Sequence, residues 1–215
     1  MLLMNANVKL SANEMALVSD AGFILTKLAI TGKVYLILGN LCSYFREYTA
    51  AHPHAFPEEV LAVSPKIYRG ESYRQLPYVM LDYPRYFAGG NAFAIRCLFW
   101  WGNSFSIHLH LSGSWKQLYA HGYAALIQSG ALDSWYCCIA TGEWEHHFGE
   151  DNYVLIGTAR EVCVQHVYKQ HFIKLAQKIP LQEWDHAYDF YREAFATLAA
   201  VAEKIKSETE NRSDH

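Results

Sequence analysis

Proline is scarce in this sequence, and nothing in the interior reads as a linker. Six prolines and 13 glycines are spread over 215 residues. With no Ser/Gly/Pro tract and no run of like charge, the chain reads as one domain rather than two joined by a tether. No segment recurs at solenoid spacing. Excess basic charge is missing as well: 18 Lys and Arg stand against 21 Asp and Glu, for a net charge of −3. No basic stripe forms, which excludes the electrostatic footprint of a nucleic-acid binder.

Cysteine is sparse and unpatterned. Cys42, Cys97, Cys137, Cys138 and Cys163 are odd in number and form no C-x-x-C pair, as expected of buried thiols in a reduced, cytoplasmic protein. Cys137 and Cys138 are adjacent on a strand pattern, so they point to opposite faces and make poor redox partners. The familiar signatures of phosphate loops, dinucleotide binding, α/β-hydrolases and zinc proteases are absent, and the sequence specifies no cofactor. MLLMNANVKL lacks a basic start, a sufficient apolar core and a small-residue cleavage site, so no signal peptide is expected.

No long hydrophobic run offers a membrane span either. The longest stretch without Asp, Glu, Lys or Arg is 97–115, but Ser104, Ser106, His108, His110 and Ser112 alternate there with apolar residues. That is a strand pattern, and no membrane partner is expected.

What is present is apolar and aromatic. Hydrophobic residues make up 52% of the chain and charged ones only 18%, with 15 Tyr and 6 Trp. Burial should be generous, and the tyrosines bring polar tips that need partners.

Ser11-Ala12-Asn13-Glu14 has capping-box spacing and predicts a helix start. The helix is expected to reach Thr31-Gly32, after which Val34, Ile37, Leu38, Leu41, Phe45 and Tyr48 continue or restart a helical face to about Thr49. Because 34–45 carries no charge, this second helix is expected to be central. Pro57 with Glu58 and Glu59 suits the first turn of a short helix. Past Ser64-Pro65 the apolar period changes to two, predicting strands over 66–69, 78–83, 92–101 and 104–111.

Ser114 is expected to cap a helix closed by Ser129-Gly130. Shorter strands are expected over 135–140, 143–148 and 153–156. Thr158 and Glu161 form a second capping box, opening a helix whose apolar face carries Cys163, Val167, His171, Phe172 and Leu175 and which ends at Ile179-Pro180. A last helix carries Trp184, Tyr188, Tyr191, Phe195 and Leu198 at three- and four-residue spacing, and 206–215 reads as a disordered tail. The result is a single α+β domain over 1–205, with a mainly antiparallel sheet of five to seven strands and N- and C-terminal helices packed on it.

Loop length at FWWGNSFSIHLHLSG decides which side chains share a face. Three loop residues place Phe93, Ile95, Cys97 and Phe99 beside Phe105, Ile107, Leu109 and Leu111, a wholly apolar face, and set Arg96 across from His108 and Ala94 across from His110. A two-residue Gly-Asn loop would set Cys97 against His108 and mix both faces. The three-residue loop is preferred.

His108 and His110 point the same way from one strand, half of a metal site. Gly102 and the H-x-H match the opening of the cupin motif, but the acid that motif needs is replaced by Ser112, Gly113, Ser114 and Trp115. Further ligands would have to come from Glu143, Glu145, His147 or His121. Two neutral histidines hydrogen-bonded under a covering element, with Arg96 nearby, is the simpler reading. Arg69, Arg74, Arg85 and Arg96 at strand ends can clamp an anion bidentately, and Asp82 can serve as acid or base if burial shifts it. Ion pairs with packed tyrosines are the plainer alternative.

PKIYRGESY, LPYVMLDYPRYF and FWWGN, within 13–112, resemble a bacterial family of single-domain proteins of unknown function. That resemblance implies a cytoplasmic bacterial protein and carries no activity. The expectation is a protein that binds a small, possibly anionic, molecule in a Tyr/Arg/His-lined pocket on the sheet, with Arg96, His108 and His110 lining it and Asp82 or Arg85 flanking it. The alternatives are a homodimer formed through aromatic-rich helices, with Tyr188, Tyr191 and Phe195 on the last of them, and a metal-dependent enzyme using His108 and His110.

Overall fold

The computed structural model describes residues 8–213, with side chains through 208. The signal-peptide expectation rests mainly on residues 1–7 and the tail expectation partly on 214–215, all outside the described residues. The chain forms a single α+β domain: six α-helices flank an open, seven-stranded antiparallel sheet.

In chain order the elements are α1 (Ala12–Ser19), α2 (Ala21–Ala51), α3 (Glu58–Leu61), β1 (Lys66–Tyr73), β2 (Leu76–Ala88), β3 (Asn91–Trp100), β4 (Ser104–Ser112), α4 (Ser114–Ser129), β5 (Tyr136–Cys138), β6 (Tyr153–Leu155), α5 (Ile156–Lys169), β7 (Phe172–Pro180), a 3-10 turn (Leu181–His186) and α6 (Ala187–Ser213). The strands lie in the order β1-β2-β3-β4-β7-β5-β6.

The Ser11 capping box forms, with Glu14 Oε2 accepting from Ser11 N at 2.7 Å. The break that follows falls at Asp20, whose carboxylate accepts from Phe23 N and caps α2. α2 then runs unbroken through Gly32, the continuing one of the two alternatives the sequence left open, because one glycine costs a long helix only about 1 kcal/mol. Centrality holds for its C-terminal half alone: Val34, Leu38, Leu41, Phe45 and Thr49 are buried. At α4 the cap is Gly113 at φ +60°, not Ser114, and the Asn91 side chain accepts from Ser114 N at 2.7 Å.

The β3–β4 hairpin takes the three-residue loop. Arg96 pairs with His108, Ala94 with His110, and Phe93, Ile95, Cys97 and Phe99 with Leu111, Leu109, Ile107 and Phe105. Those eight residues join one core with α2, α4 and α6. Phe45 stacks on Phe195 with centroids 3.8 Å apart, and Tyr191 donates to the Leu98 carbonyl at 2.8 Å. Tyr191 and Phe195 are therefore core residues, which removes them as an interface.

The C-terminal half departs most from expectation. Residues 143–148 form no strand. The helix expected from Thr158 to Ile179 ends at Lys169, and 172–180 is instead β7, between β4 and β5 at the middle of the sheet. Phe172 and Leu175 fit an apolar helical stripe, but Ile173, Leu175 and Ile179 also alternate at period two, and pairing with β4 along nine residues outweighs the helical option. His171 falls in the turn before β7 and is exposed, not a core histidine. Thr158 likewise caps nothing: its hydroxyl donates to the Leu155 carbonyl within a short first turn, and a kink at Ala159 (φ −143°, ψ 36°) separates that turn from the rest of α5.

Removing the stacked ring at Phe195 leaves a cavity between α2 and α6. Phe195→Ala is expected to cost about 3–5 kcal/mol, read from urea denaturation; a loss below 1 kcal/mol would show that the α2–α6 contact adds little to the fold.

Candidate functional site

With the apolar residues of β2, β3, β4 and β7 on the helix side, the alternate residues form a second, polar face. Asp82, Arg96, Ser106, His108, His110 and Lys174 project from it, all buried. Segment 139–152, which contains no helix or strand, lies over them. A loop of that length without structure of its own is uncommon in a small domain and is usually functional.

Asp82 and Arg96, paired across β2 and β3, make a bidentate ion pair: Nε to Oδ1 at 2.7 Å and Nη2 to Oδ2 at 3.0 Å. Tyr68 donates to the same carboxylate at 3.3 Å. The remaining guanidinium nitrogen, Nη1, lies 3.3 Å from His146 Nε2. His108 bonds Ser106 through Nε2 and Tyr153 through Nδ1, both at 2.9 Å. His110 meets the Glu143 carboxylate through Nε2 at 2.7 Å, and its buried Nδ1 has no partner among the described residues. Burial holds His108 and His146 well below the usual histidine range. In His110 burial outweighs the Glu143 hydrogen bond and its pKa is also lowered. All three rings are neutral near pH 7, and His110 carries its proton on Nε2 toward the carboxylate.

Lys174, at 1% exposure, sits among them. Its amine donates to the carbonyls of Glu143, at 2.9 Å, and Glu145, and lies 3.2 Å from His146 Nδ1. The two neighbours of His146 decide its charge state. Arg96 can only donate, so His146 Nε2 must accept and its proton must lie on Nδ1, facing Lys174. That proton needs a lone pair, which an ammonium lacks and a neutral amine has. A neutral Lys174 satisfies every group: two N–H bonds to carbonyls and one lone pair for His146. Burial pushes its pKa from 10.5 down to about 7, in the same direction.

Tyr73, at the edge of the sheet, clasps the loop from the other side. Its hydroxyl accepts from His146 N at 2.7 Å and His147 N at 3.1 Å and donates to Glu145 Oε2 at 2.8 Å. Asn152 donates to the His147 carbonyl at 2.6 Å.

Beside this network lies an open cleft of about 330 Å³ lined by Arg74, Trp100, Asn103, Ser104, His147, Phe148, Gly149 and Lys178, with no Asp or Glu among them. Arg74 and Gln75 form the β1–β2 turn at φ +48° and +68°. Glycine and asparagine favour such positions, and a larger side chain there costs about 1–2 kcal/mol. Arg74 makes no hydrogen bond or ion pair among the described residues. Lys178 lies over the Phe148 ring, 4.7 Å from its centroid.

Of the five residues singled out from the sequence, Asp82, Arg96, His108 and His110 come together on one face: Asp82 and Arg96 bond each other, Arg96 and His110 reach the loop, His108 bonds Ser106 and Tyr153, and none of the four lines the cleft. Arg85 stands beyond a register shift in β2 and donates to the Ser64 carbonyl at 2.8 Å. Three of the four ring nitrogens of His108 and His110 are engaged within the protein, and no group of three or more His, Cys, Asp or Glu among the described residues is arranged to hold a metal ion. His121 is on α4, across the sheet. Sequence reasoning missed Lys174, Tyr153 and the cleft residue Lys178; the signal available was the period-two set Phe172, Lys174, Ala176, Lys178. Comparison with known proteins finds no matching family model, no matching curated protein and no matching solved structure.

The charge state of Lys174 predicts a pH dependence. The folded amine loses its proton near pH 7 and the unfolded one near 10.5. Between those values the unfolded chain holds the extra proton, so stability rises with pH, and below pH 7 the burial penalty is present in full. Lys174→Met cannot protonate and should flatten that rise, read as urea midpoints at neutral and at alkaline pH. An equal rise in both proteins would contradict the assignment. The depressed histidines act with the same sign at lower pH, withdrawing stability as pH falls below 6.5.

Proposed function

We propose that this chain is a bacterial, cytoplasmic protein that binds a small anionic molecule in the cleft between the β1–β2 turn, the β3–β4 turn and the loop 139–152. The observation that carries the reading is the pair Arg74 and Lys178 in a lining that holds no Asp or Glu; the His147 ring beside them is already paired with Glu145 and Asp151, at 3.2 and 3.1 Å. Asn103 and Ser104 add neutral hydrogen-bonding groups, and Trp100 and Phe148 offer apolar walls, the mix of a few polar groups on an apolar surround that ligand sites use. The strained position of Arg74 supports it, because a turn that would fold more readily with glycine keeps an arginine. Guanidinium and ammonium together favour a phosphate or carboxylate.

The buried network has the supporting role. Asp82, Arg96, His146, Lys174 and Tyr73 fix segment 143–148, and that segment supplies His147 and Phe148 to the cleft wall. Five unpaired cysteines favour a reducing compartment. A second reading, an enzyme with Lys174 as general base, draws on its lowered pKa. The 1% exposure of Lys174 and the three partners saturating its amine favour binding over catalysis.

Thermal shift and calorimetry with inorganic phosphate and small di- and tricarboxylates test this reading. A ligand at about 100 times its Kd should stabilise the protein by about 2.7 kcal/mol. Lys178→Ala and Arg74→Ala, both at the surface, should each weaken binding roughly tenfold, the value of one charged hydrogen bond. No response to any of these anions, or binding unchanged in both variants, would refute the assignment.

A further inference from the structure

The N-terminal helices carry a surface that the anion cleft does not use. Of the 17 large apolar residues exposed among the described residues, 11 lie between Val8 and Leu36. α1 buries nothing, and α2 buries no residue before Val34. Side chains of these types at these exposures present roughly 1,000 Å² of apolar surface across both helices, and Leu25, Leu28 and Leu36 on the outward face of α2 hold about a third of it, the size of the largest patches that soluble monomers leave exposed.

We propose that the outward face of α2 is a self-association surface that joins two copies of this chain. α2 has an apolar window of mean hydropathy 1.6, only 11% buried, and is long enough to cross a membrane by length and composition. Crossing would strip Val34, Leu38, Leu41 and Phe45, each at 1% exposure or less, from the core, and Phe45 from its stack with Phe195. The helix is held along its inner face, and its outer face is what remains to be covered.

That outer face is self-complementary. Leu25, Leu28, Gly32, Leu36 and Gly39 lie along it at helical spacing, with Leu25, Leu28 and Leu36 at 64%, 56% and 68% exposure. Two antiparallel copies crossing at Gly32 set Leu25 against Gly39 and Leu28 against Leu36, so a large side chain meets a notch at one level and apolar meets apolar at the next. An isologous two-fold contact requires this matching of a surface to itself. A Cβ added at Gly32 or at Gly39 would meet nothing within 4 Å, so packing within the chain gives no reason for glycine at either helical position. Close approach of a second helix does. Lipid needs no such notches, and Lys33 stands exposed in the same window with Asp20 just before it. Lys27 is turned toward Glu71, 3.4 Å away.

Sedimentation velocity of the full chain from low to high micromolar concentration, with flotation on phosphatidylcholine/phosphatidylglycerol vesicles, tests the proposal. The expected result is a species of twice the 24.6 kDa chain mass that does not float. Leu25→Glu/Leu36→Glu, at sites already in solvent, should shift the dissociation midpoint upward at least tenfold with an unchanged circular dichroism spectrum. Gly32→Leu, which favours the helix and fills the notch, should do the same without lowering the melting temperature. A wild-type chain that stays at single mass, a dimer indifferent to both variants, or monomers that float with vesicles would each overturn it, the last by assigning the face to lipid.

Discussion

A lysine amine in the middle of a sheet cannot be left without partners, and the arrangement over the polar face follows from how Lys174 is satisfied. Its two N–H groups reach main-chain carbonyls of Glu143 and Glu145, and those two bonds hold an otherwise unstructured segment against the sheet. Its lone pair is claimed by His146, whose other nitrogen is committed to Arg96, whose charge is matched by Asp82. Each group is specified by the next, so the chain of bonds tolerates one protonation pattern. Buried polar networks of this kind define a single arrangement at a cost in stability, because an unpaired member is expensive.

The two faces of the sheet therefore do different work. The helix side is a close-packed aromatic and aliphatic core, where burial supplies the driving force. On the polar side, hydrogen bonds position a loop that has no secondary structure to position itself. Tyr73 grips that loop from the edge strand β1 and Lys174 from the interior strand β7, and His147 and Phe148 are carried between them to the cleft wall. A site built on strands and braced this way is more rigid than one on a free loop.

The sequence made some of this readable. The β3–β4 register followed from apolar matching alone, since only the three-residue loop leaves one face free of polar groups, and it placed Arg96 beside His108 as found. The antiparallel α+β class followed from the change of apolar period near residue 65. β7 was not readable as a strand because Cys163 to Leu175 also satisfies a helical stripe, and only the open edge of β4, a tertiary fact, decides between them. With β7 hidden, Lys174 had no visible reason to be buried. The 143–148 segment alternates Glu143, Glu145 and His147 as a strand would, but Lys174 holds its main chain and His110 and Tyr73 hold the Glu143 and Glu145 carboxylates from outside, which local pattern does not encode. The Arg74 and Lys178 cleft joins β1–β2 to β7 and shared the same blind spot.

The central claim is that Lys174 gives up its proton near pH 7 in the folded protein, far below an ordinary lysine. The direct measurement is an NMR titration of the lysine side chains, following the ε-carbon of Lys174 assigned by its loss in Lys174→Met. A midpoint near pH 7, set apart from the other lysines, is the result predicted. A midpoint at the ordinary 10.5 would mean a charged lysine facing His146, and the protonation pattern that holds the loop would have to be abandoned.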